Sequence, residues 1–176
     1  MMVLRRGITA GLLVACAILA CAVLTWPNSV SANPHRSGSR GGTHLYVFLG
    51  LGNQSPGLAE FGRKMQRRGI PTTIANHTEE PALVEDAIRR YRSGLLRSVK
   101  IVGHSLGGRA AGAMAIALSQ AGVPVQLVVA LDPTGGALSL PHVRRAVNFF
   151  PRSGEDHFTV IAAHERDMTS YVLGGR

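Results

Sequence analysis

The six residues Gly103-His104-Ser105-Leu106-Gly107-Gly108 set one serine among glycines directly after the apolar run Val99-Lys100-Ile101-Val102. A strand entering such a turn, with a helix leaving it, is the setting in which a G-x-S-x-G pattern carries meaning. The serine sits on a tight, strained bend, and the flanking glycines let backbones approach where a Cβ would clash. A serine hydroxyl is a poor nucleophile at neutral pH, so Ser105 needs a base and a group that orients the base. Asp132 stands directly after the apolar run Gln126 to Leu131 and before Pro133, where a carboxylate faces the same cleft as Ser105. A turn-starting Asp before proline is the bland alternative, and the chain order Ser, Asp, His favours the catalytic role. Two histidines compete as base. His157 comes six residues after Pro151 and is preferred, while His164 lies seven residues further on. That separation is roughly 10 Å along a helix axis, so the two cannot serve one serine, and His164 stays as the alternative base. Glu155 and Asp156 are too near in sequence to orient the ring of His157 and read as solvated loop charges.

Acyl chemistry at a serine builds an oxyanion that needs fixed N–H donors, each often worth ~3 kcal/mol. The Leu106 N–H is one candidate; the Leu51 N–H, in the loop Leu49-Gly50-Leu51-Gly52-Asn53, is the other. A glycine loop after a first strand can instead cradle a dinucleotide, but here Gly50-x-Gly52 is followed by Ser55 where the third glycine belongs. The sequence therefore implies no cofactor. It also implies no metal: the histidines are dispersed and form no H-x-x-x-H pair with an acidic neighbour. His104 reads as packing within the turn, and His77 and His142 as loop residues.

These side chains need strands to hold them. His44 to Leu49, Ile70 to Ala75, Ser98 to Gly103, Val125 to Leu131 and Arg145 to Phe150 read as strands, the first nearly continuous in apolar residues as a doubly covered strand should be. Between them Ser55-Pro56 starts a helix with Leu58, Phe61 and Met65 on one face, and Pro81 to Tyr91 repeats the pattern with Val84, Ala87, Ile88 and Tyr91 inward. Leu106 to Ala121 is an Ala- and Gly-rich helix, and His157 to Leu173 a last one. Alternation of this kind predicts an α/β fold with a doubly wound parallel sheet and its site at the carboxyl ends of the strands.

GHSLGG at 103–108, with Leu131-Asp132-Pro133 after the next strand, resembles the nucleophile elbow and acid of the α/β-hydrolase superfamily, in its lipase- and thioesterase-like members. The resemblance covers nearly all of residues 43–176. It implies a minimal α/β-hydrolase-type sheet of about five strands with helices on both faces, and a triad at Ser105, Asp132 and His157 with oxyanion donors at Leu51 and Leu106. It also implies a small-molecule or lipid acyl ester or thioester as substrate. Leu49 stands where the family usually has a histidine before the glycine loop, and fuller members carry more strands. No insertion is long enough for a lid, so the cleft should be shallow. An acyltransferase using the same triad and an inactive exported binding module are the other readings.

The chain has 176 residues, 45% in the hydrophobic set and 16% charged, which makes one globular domain and excludes disorder. Its net charge is +9, yet the basic residues are scattered without aromatic interleaving, so no nucleic-acid partner is expected. Arg5 and Arg6 precede an uncharged stretch from Gly7 to Trp26. Residues 1–32 therefore read as a signal peptide, cut after Val30-Ser31-Ala32, or as an N-terminal membrane anchor. Either exports the domain, to the periplasm or beyond, or tethers it outside the cytoplasm through residues 7–26. Leu13 to Cys16 and Ile18 to Cys21 also look like lipoprotein boxes, though Cys is common in apolar helices. Both cysteines fall in this segment, so no disulfide is expected in the folded part. Residues 33–42 read as a flexible linker.

Overall fold

The structure, a computed structural model, describes residues 41–174. The expected signal or anchor, and the linker up to residue 40, lie outside the described residues. Strands and helices alternate as β1 (Gly42–Leu49), α1 (Leu58–Arg67), β2 (Thr72–Asn76), α2 (Glu80–Arg92), β3 (Leu96–His104), α3 (Leu106–Gln120), β4 (Val125–Leu131), β5 (Ala146–Phe149), α4 (Thr159–Ala163) and α5 (Glu165–Leu173). The strands form one all-parallel sheet in the order β2-β1-β3-β4-β5. Among the described residues no helix is long and apolar enough to cross a membrane.

Side chains on a strand alternate between the faces of its sheet, and β1 sorts the core accordingly. Leu45, Val47 and Leu49 cluster with Leu58, Phe61 and Met65 of α1 and with Val160, Ile161 and Met168 of α4 and α5. Tyr46 and Phe48 cluster with Ala87 of α2 and with Ala111, Met114 and Leu118 of α3. Two apolar layers result, one on each face. The link from β4 to β5 holds no helix, and its Leu138, Leu140 and Val143 pack on the α3 side in place of one.

Several boundaries differ from the sequence expectation, each for a local reason. Ser55 does not cap α1: the helix begins after Gly57, in a left-handed conformation, without a side-chain cap. Burial of Leu58, Phe61 and Met65, each worth about 1.5–3 kcal/mol, holds it instead. β2 starts at Thr72 rather than Ile70, because the Ile70 N–H turns back to the Met65 carbonyl and Pro71 has no N–H to offer. β1 takes in Gly42, and β3 runs from Leu96 through His104. The last helix is two: His164 (φ −114°, ψ 14°) interrupts it between α4 and α5. His157 precedes both, in a turn fixed by Asp156, whose side chain accepts the Phe158 N–H at 2.7 Å.

His44 at the start of β1 gives the fold an acid-sensitive joint. Its Nε2 lies 2.9 Å from the Thr73 hydroxyl and its Nδ1 3.4 Å from the Arg90 guanidinium, which can only donate, so the ring is neutral. Burial first, and then the Arg90 charge, push its pKa down to about 4 from 6.5. The unfolded chain therefore takes up this proton first as pH falls, and the stability His44 supplies is complete above about pH 6.5 and is lost toward pH 4. The expected loss is on the order of 2 kcal/mol once solvent screening is allowed for. Urea midpoints measured across this range should fall with acidification, and His44→Gln should flatten that part of the curve.

Candidate active site

Sheet register aligns the candidate residues before any side chain is considered. β1 and β3 pair with Phe48 beside Gly103, and β3 and β4 pair with His104 beside Leu131. Continuing each strand past its end sets Gly50, Ser105 and Asp132 in a row at the carboxyl edge, where parallel sheets bind ligands. The Ser105 N–H donates to the Leu131 carbonyl at 3.0 Å, and the Asp132 N–H to the Phe149 carbonyl at 2.7 Å, so the ladder extends to both.

Ser105 has φ 57° and ψ −122°, a backbone conformation that costs a non-glycine residue about 1–3 kcal/mol. Its carbonyl holds the bend by accepting from the N–H groups of Gly108 at 3.0 Å, Arg109 at 3.2 Å and Thr134 at 3.1 Å. The flanking glycines are a packing requirement. A Cβ on Gly103 would stand 2.1 Å from the Gly107 carbonyl oxygen, and one on Gly107 would stand 2.2 Å from that of Phe48.

Asp132 and His157 meet. Asp132 Oδ2 lies 2.5 Å from His157 Nδ1, with the two side chains 26% and 37% exposed. An acceptor on Nδ1 fixes the hydrogen there and leaves Nε2 with a lone pair. His164 is elsewhere: its ring stacks on Phe149 at 3.9 Å and its Nδ1 lies 3.1 Å from Asp167 Oδ2. Glu155 accepts the Arg152 N–H at 2.9 Å, and Asp156 organises the turn before α4, so both serve their own loop. Ser105 is not joined to this pair: among the described residues the polar contacts of His157 are with Asp132 and His104, and Ser105 Oγ is not among them. Hydrogen bonds of this kind commonly close only when substrate binds.

The glycine loop comes against the serine, since a Cβ on Gly50 would lie 3.3 Å from that of Ser105. Among the described residues neither the Leu51 nor the Leu106 N–H has an acceptor, which is the condition for a donor awaiting an oxyanion. A depression of about 440 Å³ lined by Asn53, Ser55, Pro56 and Phe158 adjoins this loop. A separate cavity of about 550 Å³, lined by Ile116, Val123, Leu140 and His142, lies where β4 begins, at the opposite end of the strands.

Two polar residues at this site carry no sequence signal for their role. His104 is fully buried, its ring 4.4 Å from that of His157. Its Nδ1 lies 3.0 Å from the Ser55 hydroxyl and its Nε2 3.2 Å from the His157 carbonyl oxygen. Ser55 Oγ in turn accepts the Gly50 N–H at 2.8 Å. Burial is the main cause that lowers the His104 pKa, partly opposed by its bond to the His157 backbone. The hydroxyl and the ring it meets are 49 residues apart, and no local pattern joins them.

Backbone strain at Ser105 yields a stability test. Ser105→Gly should raise the unfolding free energy by about 1 kcal/mol, because the strain relieved exceeds the added chain entropy. Chemical denaturation checks this, and an unchanged or lowered stability would mean that the serine conformation is unstrained.

No protein-family model matches this chain, and no curated protein is significantly similar to it.

Proposed function

We propose that the protein is a serine hydrolase of the α/β-hydrolase type, cleaving an acyl ester or thioester through a covalent acyl-serine. The observation that carries this reading is the 2.5 Å bond between Asp132 and His157, beside a serine on a strained turn. Asp132 occupies Nδ1 of the base, so Nε2 is the atom that takes the Ser105 proton as Oγ attacks the acyl carbon. The oxyanion that forms turns to the Leu51 and Leu106 N–H groups. His157 then gives its proton to the leaving alcohol or thiol as the acyl bond breaks, and the acyl group remains on Ser105. Water enters next, loses a proton to Nε2, and releases the acid and the free serine. Partial exposure of both His157 and Asp132 favours hydrolysis over transfer, because solvent reaches the base directly. The depression beside the glycine loop is lined by Glu60 and Arg63 as well as by Phe158, and a small-molecule or lipid ester suits an open cleft equally. Export or tethering through residues 7–26 would place this activity outside the cytoplasm.

The open link between Ser105 and His157 is the one observation that favours an inactive binding module. Kinetics with short-chain p-nitrophenyl esters separate the two. Ser105→Ala and His157→Ala should each lower kcat by a factor on the order of 10⁶, and Asp132→Asn by a factor on the order of 10⁴. His164→Ala should stay within about twofold of wild type, since its ring serves Phe149 and Asp167. Full turnover in Ser105→Ala would end the hydrolase reading.

A further inference from the structure

Partner chemistry fixes the direction of every bond around His104. The His157 carbonyl can only accept, so His104 Nε2 carries the hydrogen. In a neutral ring Nδ1 is then bare, and the Ser55 hydroxyl must donate to it. Ser55 Oγ keeps a lone pair for the Gly50 N–H. The chain runs one way, from the Gly50 backbone through Ser55 and His104 to the His157 backbone, and one neutral tautomer satisfies all of it. Burial, which disfavours a second proton on the ring, supports that form.

Each end of this chain is a short loop otherwise held mainly by its own turn: the Asn53 N–H donates to the Gly50 carbonyl and the Asn76 amide to Asn53 Oδ1 in one, and Asp156 accepts the Phe158 N–H in the other. The turn Leu51–Asn53 buries none of its residues, and Leu51 is 70% exposed. His157 sits in a short turn before the five-residue helix α4. Between them stands His104 on β3, the middle strand of the sheet, with its ring against those of His157 and Phe158 at 4.4 and 5.6 Å.

We propose that His104 is a positioning residue: with Ser55 it locks the backbone of the Gly50–Leu51 loop and that of the His157 turn into one register on either side of Ser105. The inference rests on the serine-hydrolase reading and deepens it. It assigns the His104 nitrogens a role that a ring of the same size could not fill, because one loop brings the oxyanion donor and the other the base. An error of about 1 Å between such groups costs on the order of 100-fold in rate.

The test uses the full chain with p-nitrophenyl butyrate and a fluorophosphonate label, with thermal melts to report folding. Ser55→Ala and His104→Phe should each lower kcat by roughly 10- to 100-fold while KM stays within about threefold. The double variant should fall no more than about threefold below the worse single one, because both changes break the same chain. His104→Gln keeps a donor toward the His157 carbonyl and should recover a substantial part of the rate lost in His104→Phe. Should His104→Phe not fold, Ser55→Ala, which removes a single oxygen, decides alone. Wild-type kcat in a folded Ser55→Ala or His104→Phe protein, or losses that multiply in the double variant, would overturn the positioning role and leave the hydrolase reading standing. A wild-type chain that takes up no label and cleaves no ester overturns that reading, and this inference with it.

Discussion

Helix α3 begins so close to the sheet that one added carbon at Gly107 would stand 2.2 Å from the carbonyl oxygen of Phe48 on β1. The rest of the site depends on that contact. It draws the start of α3 over the ends of β1 and β3, and the chain can then pass from β3 to α3 only through a sharp bend at Ser105. The cost of the bend, about 1–3 kcal/mol, is offset by the three N–H groups on the Ser105 carbonyl and by the apolar layer that α3 buries against the sheet. Once β1, β3 and β4 end level, the glycine loop, the serine and the aspartate stand in a row without further adjustment. Register alone thus places Ser105 and Asp132, and only His157 must be brought in by a separate segment.

Environment gives the histidines different chemistry. His44 is buried against an arginine and a threonine hydroxyl, and His104 between a serine hydroxyl and a backbone carbonyl; both are pushed toward the neutral form. His157 instead holds a carboxylate on one nitrogen and stays partly open to solvent. His164 also has a carboxylate, yet its ring lies flat on Phe149, away from the serine turn.

Much of this was legible in the sequence because it is local. The strand, glycine turn and small-residue helix around Ser105 lie within one short stretch, and the apolar stripes of α1 and α2 fall where their periodicity puts them. Asp132 could be placed because it follows β4 directly. The histidine is harder to place, since periodicity makes its segment one continuous helix where the structure has two short ones split at His164. The contact between His157 and Asp132 joins segments whose distance sequence spacing does not encode. Ser55 was misplaced for a related reason: Ser-Pro before an apolar stripe is a good helix start, but its hydroxyl faces inward to His104. Pairings between distant loops leave no periodic trace.

On the proposed reading, Ser105, His157 and the Leu51 and Leu106 N–H groups form a single acyl-transfer site. A crystal structure of the full chain after reaction with an alkyl fluorophosphonate tests it most directly. Phosphorus should be bonded to Ser105 Oγ, with the phosphoryl oxygen roughly 3 Å from the nitrogens of both Leu51 and Leu106 and Nε2 of His157 turned to the adduct. Phosphorus on another residue, or a phosphoryl oxygen pointing into solvent away from those two nitrogens, would contradict it.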